Sequence, residues 1–196
     1  ISHPTSGEST ETYPETDLNA AGDLRLDAHN RVVAERARRL FGDPETDEGA
    51  YIRAAAALHD FGKATPQFQE YVRPTESSNE PNEETAHARL GALATWYALG
   101  ELGAADRDRL AGTLAVARHH QAIPNAAQYT AETLAKAFEQ TEGAIQSQLD
   151  AIDDVLRQGV DLSLDDLRSA LWRHVDDQLT TELRTLALDL DIDAYP

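Results

Sequence analysis

The chain contains no cysteine. Neither a disulfide nor a thiolate-held metal is available, so any metal here is bound through nitrogen and oxygen. Lysine is nearly absent as well, with Lys63 and Lys136 the only two. No apolar run approaches the ~20 residues of a membrane span, and the opening ISHPTSGEST lacks the basic and apolar regions of a signal peptide. Those absences predict a cytoplasmic protein with no membrane partner. Valine and isoleucine are sparse and no stretch alternates apolar with polar, which removes the main signals of a sheet. Without internal repeats or a low-complexity linker, 196 residues read as one domain, or a domain with a C-terminal extension. The missing initiator methionine and the stop at DIDAYP predict processing or a fragment cut from a longer chain.

Acid is what the chain has in excess. It carries 35 Asp and Glu against 17 Lys and Arg, a formal net charge of -18. Such a surface repels nucleic acid at ordinary salt. The same composition resembles that of proteins from extreme halophiles, where molar salt shortens the Debye length to ~3 Å. Under that screening a local cationic or metal site still binds phosphate, because the contact is short-range.

Residues 1–25, rich in Pro, Ser, Thr, Gly and Glu, read as an irregular lead-in. From Leu26 the pattern turns helical: Leu26, Val33, Ala37 and Leu40 recur at three, four and seven until Gly42-Asp43-Pro44. DEGAYIRAAAALHDFG predicts a second helix with acidic residues in its first turn, an inward face of Ile52, Ala55 and Ala56, and a break at Gly62. TPQFQEYV predicts a short helix with Thr65 as cap and Pro66 at its first position. Longer helices are expected through EETAHARLGALATWYALGEL and DRDRLAGTLAVARHH, and again in the C-terminal residues 126–196, read as completing the same domain. The expected fold class is all-α, a compact helical bundle.

Helical spacing places the histidines. His29 precedes Val33 by four on the apolar stripe, and His59 follows Ile52 by seven and Ala55 by four. His87 shares a stripe with Leu90, Gly91 and Ala94, whose small residues admit a neighbouring helix; His119 follows Ala115 by four, with His120 beside it. Taken singly, each reads most simply as a hydrogen-bonded core residue. Five imidazoles and the Asp60 carboxylate at inner faces of four helices cost several kcal/mol unless paired or coordinated. A metal supplies that compensation. His3 and His174 have no such neighbours in the sequence and read as ordinary structural or surface residues, while Trp96 and Trp172 read as core.

A histidine in LDAHNRV, the doublet in AAAALHDFGKATPQFQ, then HARLGA and VARHH follow one another here. This order resembles the HD superfamily of metal-dependent phosphohydrolases. In its His-Asp-hydrophobic-Gly-Lys and Phe-Gln context, it looks like the HD nuclease domain of the CRISPR-associated type I helicase-nucleases. The resemblance runs from about residue 1 to 125, which makes 26–125 the expected metal-binding core. It implies that Asp60 bridges two metals, with His59 its doublet partner and His29 a ligand of the first. His87, His119 and His120 would complete the second. A late aspartate, Asp177 or its neighbour Asp176, less readily Asp189 or a residue past Pro196, would complete the first. Lys63 would contact a phosphate or the Asp60 network as a catalytic residue, with a surface lysine after a glycine cap as its plain alternative. Phe68 and Gln69 read as packing and turn residues.

The implied activity is hydrolysis of single-stranded DNA, endonucleolytic and from an end, with one or two divalent ions among Mn, Ni, Co, Fe, Mg and Zn. The implied partners are a helicase domain or subunit and an RNA-guided type I surveillance complex. Two other readings remain at this level: a nucleotide or cyclic-nucleotide phosphohydrolase of the same superfamily, and a non-catalytic helical docking domain.

Overall fold

The apolar spacing that begins at Leu26 becomes α1 (Leu26–Phe41), which packs along α2 (Asp47–Leu58). The computed structural model describes residues 14–19, 22–41, 46–72, 82, 85–120, 143–148 and 150–151. Among them the chain is helical throughout, apart from turns and one isolated bridge between Leu18 and Leu24. The all-α class expected from the sequence is the one found. No helix among the described residues is long and apolar enough to cross a membrane.

Ahead of α1, a short 3-10 turn (Glu15–Asp17) buries Asp17, whose carboxylate takes the Arg31 guanidinium at 2.8 Å. Thr46 caps α2 by accepting the Gly49 N–H at 3.2 Å, and Asp47 and Glu48 complement the dipole of its first turn. Its end differs from expectation. The helix stops at Leu58 rather than at Gly62, His59 is its C-cap, and Asp60 turns out of the helix into a 3-10 segment (Phe61–Ala64).

α3 (Pro66–Tyr71) begins as its sequence requires, with Pro66 in the first turn and the Thr65 hydroxyl accepting the Phe68 N–H at 3.2 Å. α4 (His87–Glu101) is the central helix. It buries Leu90, Leu93, Trp96 and Leu99, and packs on α2, on the 3-10 segment and most extensively on α5 (Asp106–Ala117). The core role expected of Trp96 is thus observed, with Arg109 stacked over its ring at 4.1 Å. α5 also ends early. Arg118, His119 and His120 form a turn beyond it instead of a last helical turn.

Two glycines allow α4 to meet the His59-Asp60 turn backbone to backbone. A Cβ at Gly62 would lie 2.3 Å from the His87 carbonyl oxygen, and one at Gly91 would lie 2.6 Å from that of His59. The close approach expected at Gly91 is therefore made on the doublet itself. Residues 143–148 lie near the same end of α4, where the Gln67 side chain donates to the Ser147 hydroxyl at 3.2 Å. Ile52, Ala55 and Ala56, the expected inward face of α2, line an apolar groove of about 500 Å³ shared with α1 and α5. His59 and His119 stand among its lining residues, so the groove adjoins the site described next.

Candidate metal centre

Asp60 is the hub. It is 1% exposed, and four imidazoles converge on its two oxygens. His29 Nε2 and His59 Nε2 stand 3.3 and 3.4 Å from Oδ2, while His87 Nε2 and His119 Nε2 each stand 3.4 Å from Oδ1. His120 Nε2 lies 2.8 Å from His87 Nε2, and His29 Nε2 lies 3.3 Å from His59 Nε2. Lys63 Nζ also reaches Oδ2, at 2.8 Å. Six of the seven predicted site histidines and aspartates, together with Lys63, are thus gathered in one place. The seventh, Asp177, lies outside the described residues, as do Asp176, Asp189, His3, His174 and Trp172.

Local structure explains how the rings are aimed. His59 Nδ1–H donates to the Ala56 carbonyl at 2.8 Å, and His119 Nδ1–H donates to the Val116 carbonyl at 2.6 Å. In both, an imidazole just past a helix end takes an orphan carbonyl of the last turn. Fixing the proton on Nδ1 leaves the Nε2 lone pair pointed at Asp60. His87 is the first residue of α4, so its ring is carried by the helix that packs on the doublet.

The electrostatics agree with a ligand set. Burial pushes the His59 and His87 imidazoles below their ordinary value, and burial chiefly lowers His120 to about 4. These three are neutral near pH 7, the form that ligates. Burial alone would raise the Asp60 carboxyl, but His119, His29, His87 and Lys63 outweigh it and hold the carboxyl well below the usual carboxylate range.

The donors fall into two groups whose ligand atoms lie within 4.8 Å of one another: His29, His59 and Asp60, and Asp60, His87, His119 and His120. Asp60 Oδ1 and His119 Nε2 are buried with no partner in hydrogen-bond geometry, while Asp60 Oδ2 is ion-paired with the Lys63 ammonium. Leaving such atoms unmatched costs about 1–3 kcal/mol each, which a coordinated cation would offset. Nitrogen and oxygen donors 3.3–3.4 Å apart also have the separation of neighbouring ligands about 2.0–2.1 Å from a common tetrahedral centre. The residues present fit a divalent metal.

Two contributors exceed what their spacing in the sequence suggested. The Phe68 ring meets His87 edge-on, with centroids 5.0 Å apart, and Gln69 Nε2 donates to the Lys63 carbonyl at 2.7 Å. Their signal was position: the Thr65-Pro66 cap returns the chain toward the doublet within one short helix.

The family described as "Cas3, HD domain" matches residues 16–190. The chain is 56% identical over 154 residues to the CRISPR-associated nuclease/helicase Cas3 of Haloferax volcanii, covering 79% of this chain and 16% of that protein. It therefore spans about a sixth of the relative's length. No solved structure matches the chain. As expected from LHDFGK and its flanking histidines, the chain belongs to the Cas3 HD domain family.

Proposed function

We propose that this domain is a metal-dependent nuclease that hydrolyses phosphodiester bonds of single-stranded DNA during CRISPR interference, endonucleolytically and also from an end. The observation that carries the reading is one buried carboxylate, Asp60, shared between a His29–His59 pair and a His87–His119–His120 cluster. That arrangement suits two ions held side by side. Divalent metals at such a site supply Lewis-acid polarisation of phosphate oxygens and activation of water at neutral pH.

The chain's own contribution is preorganisation. Asp60, ionised and nearly inaccessible, would help hold the ions, and His59, His87 and His120, whose imidazoles are pushed below their ordinary value, would join the shells without first losing a proton. Asp177 is the residue we assign as the further ligand on the His29 side, carried by C-terminal residues 126–196 as part of the same domain. Lys63 would offset negative charge next to Asp60 as phosphate enters. A nitrogen-rich, thiolate-free shell suits Mn, Fe, Co, Ni or Zn, and Mg less well.

The substrate would be a single strand delivered in the cytoplasm by a helicase domain or subunit, after an RNA-guided surveillance complex opens the duplex. The relative's description as a nuclease/helicase supports that partnership. The net charge of -18 opposes DNA binding at low ionic strength, so the assay belongs in molar KCl. Circular single-stranded DNA should be nicked with Mn, Ni or Co present, and nicking should vanish in Asp60→Ala. A folded, metal-loaded chain that leaves the circle intact but hydrolyses nucleotides would replace this reading with a small-substrate phosphohydrolase. A chain that does neither would be a docking domain.

A further inference from the structure

The two oxygens of Asp60 are not equivalent. Oδ1 faces the imidazoles of His87 and His119, whereas Oδ2 faces His29 and His59 and also takes the Lys63 ammonium at 2.8 Å. Lys63 is held there on several sides. Its side chain is 9% exposed, its backbone N–H donates to the Asp60 carbonyl at 2.9 Å, and its own carbonyl accepts from Gln69 at 2.7 Å. The ammonium lies 5.7 Å from the centre of the Phe68 ring. A cation enclosed in this way has no ready path into water when another cation approaches the same oxygen.

We infer that Lys63 acts as a resident monovalent cation that weakens divalent binding at the His29–His59–Asp60 group, so the two sites fill in order, the His87–His119–His120 group first. The inference rests on the two-metal reading above and concerns what regulates it. A dication drawn to Oδ2 must share that oxygen with an ammonium, and repulsion across one atom is strong where water is excluded. A dication on Oδ1 is separated from Lys63 by the carboxylate group. The chain would therefore hold one ion tightly and accept a second only as free metal rises. Any hydrolysis that needs both ions is thereby tied to metal supply.

The test is Mn²⁺ titration of the metal-free chain by calorimetry in molar KCl, with folding checked by circular dichroism and no nuclease assay involved. Wild type should show two steps separated by about tenfold or more in Kd. His29→Ala should remove the weaker step, and His120→Ala should impair the tighter one. Lys63→Met should strengthen the weaker step by about tenfold while leaving the tighter within about threefold, and Lys63→Arg should preserve the wild-type separation. Two equal steps in wild type would overturn the ordering without any variant. A folded Lys63→Met whose weaker step is unchanged or weakened would overturn the role of Lys63. If the folded wild-type chain takes up no Mn²⁺ at all, the two-metal reading fails along with the inference; a single tight step that never acquires a second leaves the metal site standing and removes the ordered pair.

Discussion

A Cβ on Gly62 would stand 2.3 Å from the carbonyl oxygen of His87 and 2.7 Å from its Cα. Both neighbours are backbone atoms at the start of α4, so neither can rotate away. Gly62→Ala must push α4 off the doublet, and overpacking of this kind costs about 1–3 kcal/mol. Thermal unfolding in molar KCl should fall by roughly 2–10 °C, with a matching loss of Mn²⁺ affinity as His87 moves from Asp60. A variant that melts with wild type would mean the contact is looser than the 2.3 Å approach requires.

The edge of the Phe68 ring against His87 leads to a separate expectation. Phe68 is 6% exposed, and its ring lies at 75° to the imidazole. Phe68→Leu keeps most of the apolar volume and should cost less than about 1.5 kcal/mol. What it removes is the wall that orients His87. Without it the His87 ring is less firmly held, so Mn²⁺ affinity should drop measurably while the melting temperature barely moves. Unchanged affinity would reduce Phe68 to a core filler.

Much of this was legible from residue order, because helix periodicity and capping are local. The Thr65-Pro66 cap and the placing of His29 and His87 follow from spacing, whereas Leu40, expected on the α1 stripe, is 76% exposed and Ala28 and Ala37 are the residues buried there. The ends of α2 and α5 did not. The sequence suggests a helix running to Gly62 and another through His120, whereas both stop short, and His59 and His119 each bond a carbonyl three residues back. That competition between an imidazole and the next backbone N–H is decided by what the ring can reach on its other side. Here it is Asp60, the next residue for His59 and brought to His119 by the end of α2. The burial of Lys63 is tertiary in the same sense, since a lysine after a glycine reads as surface until α3 folds over it.

The metal-free chain should lose stability on mild acidification. Folding lowers the His59, His87 and His120 imidazoles, the last from 6.5 to about 4. Between those values the unfolded chain binds more protons than the folded one. Stability is therefore fully present above about pH 6.5 and declines as pH falls toward about 4. Melting in chelator and molar KCl should drop between pH 7 and pH 5 by several degrees, roughly 2–4 °C for each kcal/mol lost. Added Mn²⁺ should raise the melting point at pH 7 more than at pH 5, because protons compete for the same Nε2 lone pairs. A melting point that rises on acidification would show that these imidazoles are charged in the folded chain.

The Asp60–Lys63 pair permits a test of charge balance that needs no substrate. Both side chains are buried, with 1% and 9% of their surfaces exposed and 2.8 Å between Nζ and Oδ2. Removing one member of such a pair leaves the other uncompensated, at a cost of about 3–5 kcal/mol, whereas replacing both with neutral groups is far less costly. Asp60→Asn keeps the shape but strands the ammonium, so it should destabilise the metal-free chain strongly. Lys63→Met should cost less, because the His29 and His59 imidazoles still face the carboxylate. The double variant Asp60→Asn/Lys63→Met should then be more stable than Asp60→Asn alone, a coupling that urea unfolding in molar KCl would read directly. If the two changes simply add, the ammonium does not depend on Asp60 for its charge balance, and its neighbours in α3 must satisfy it instead.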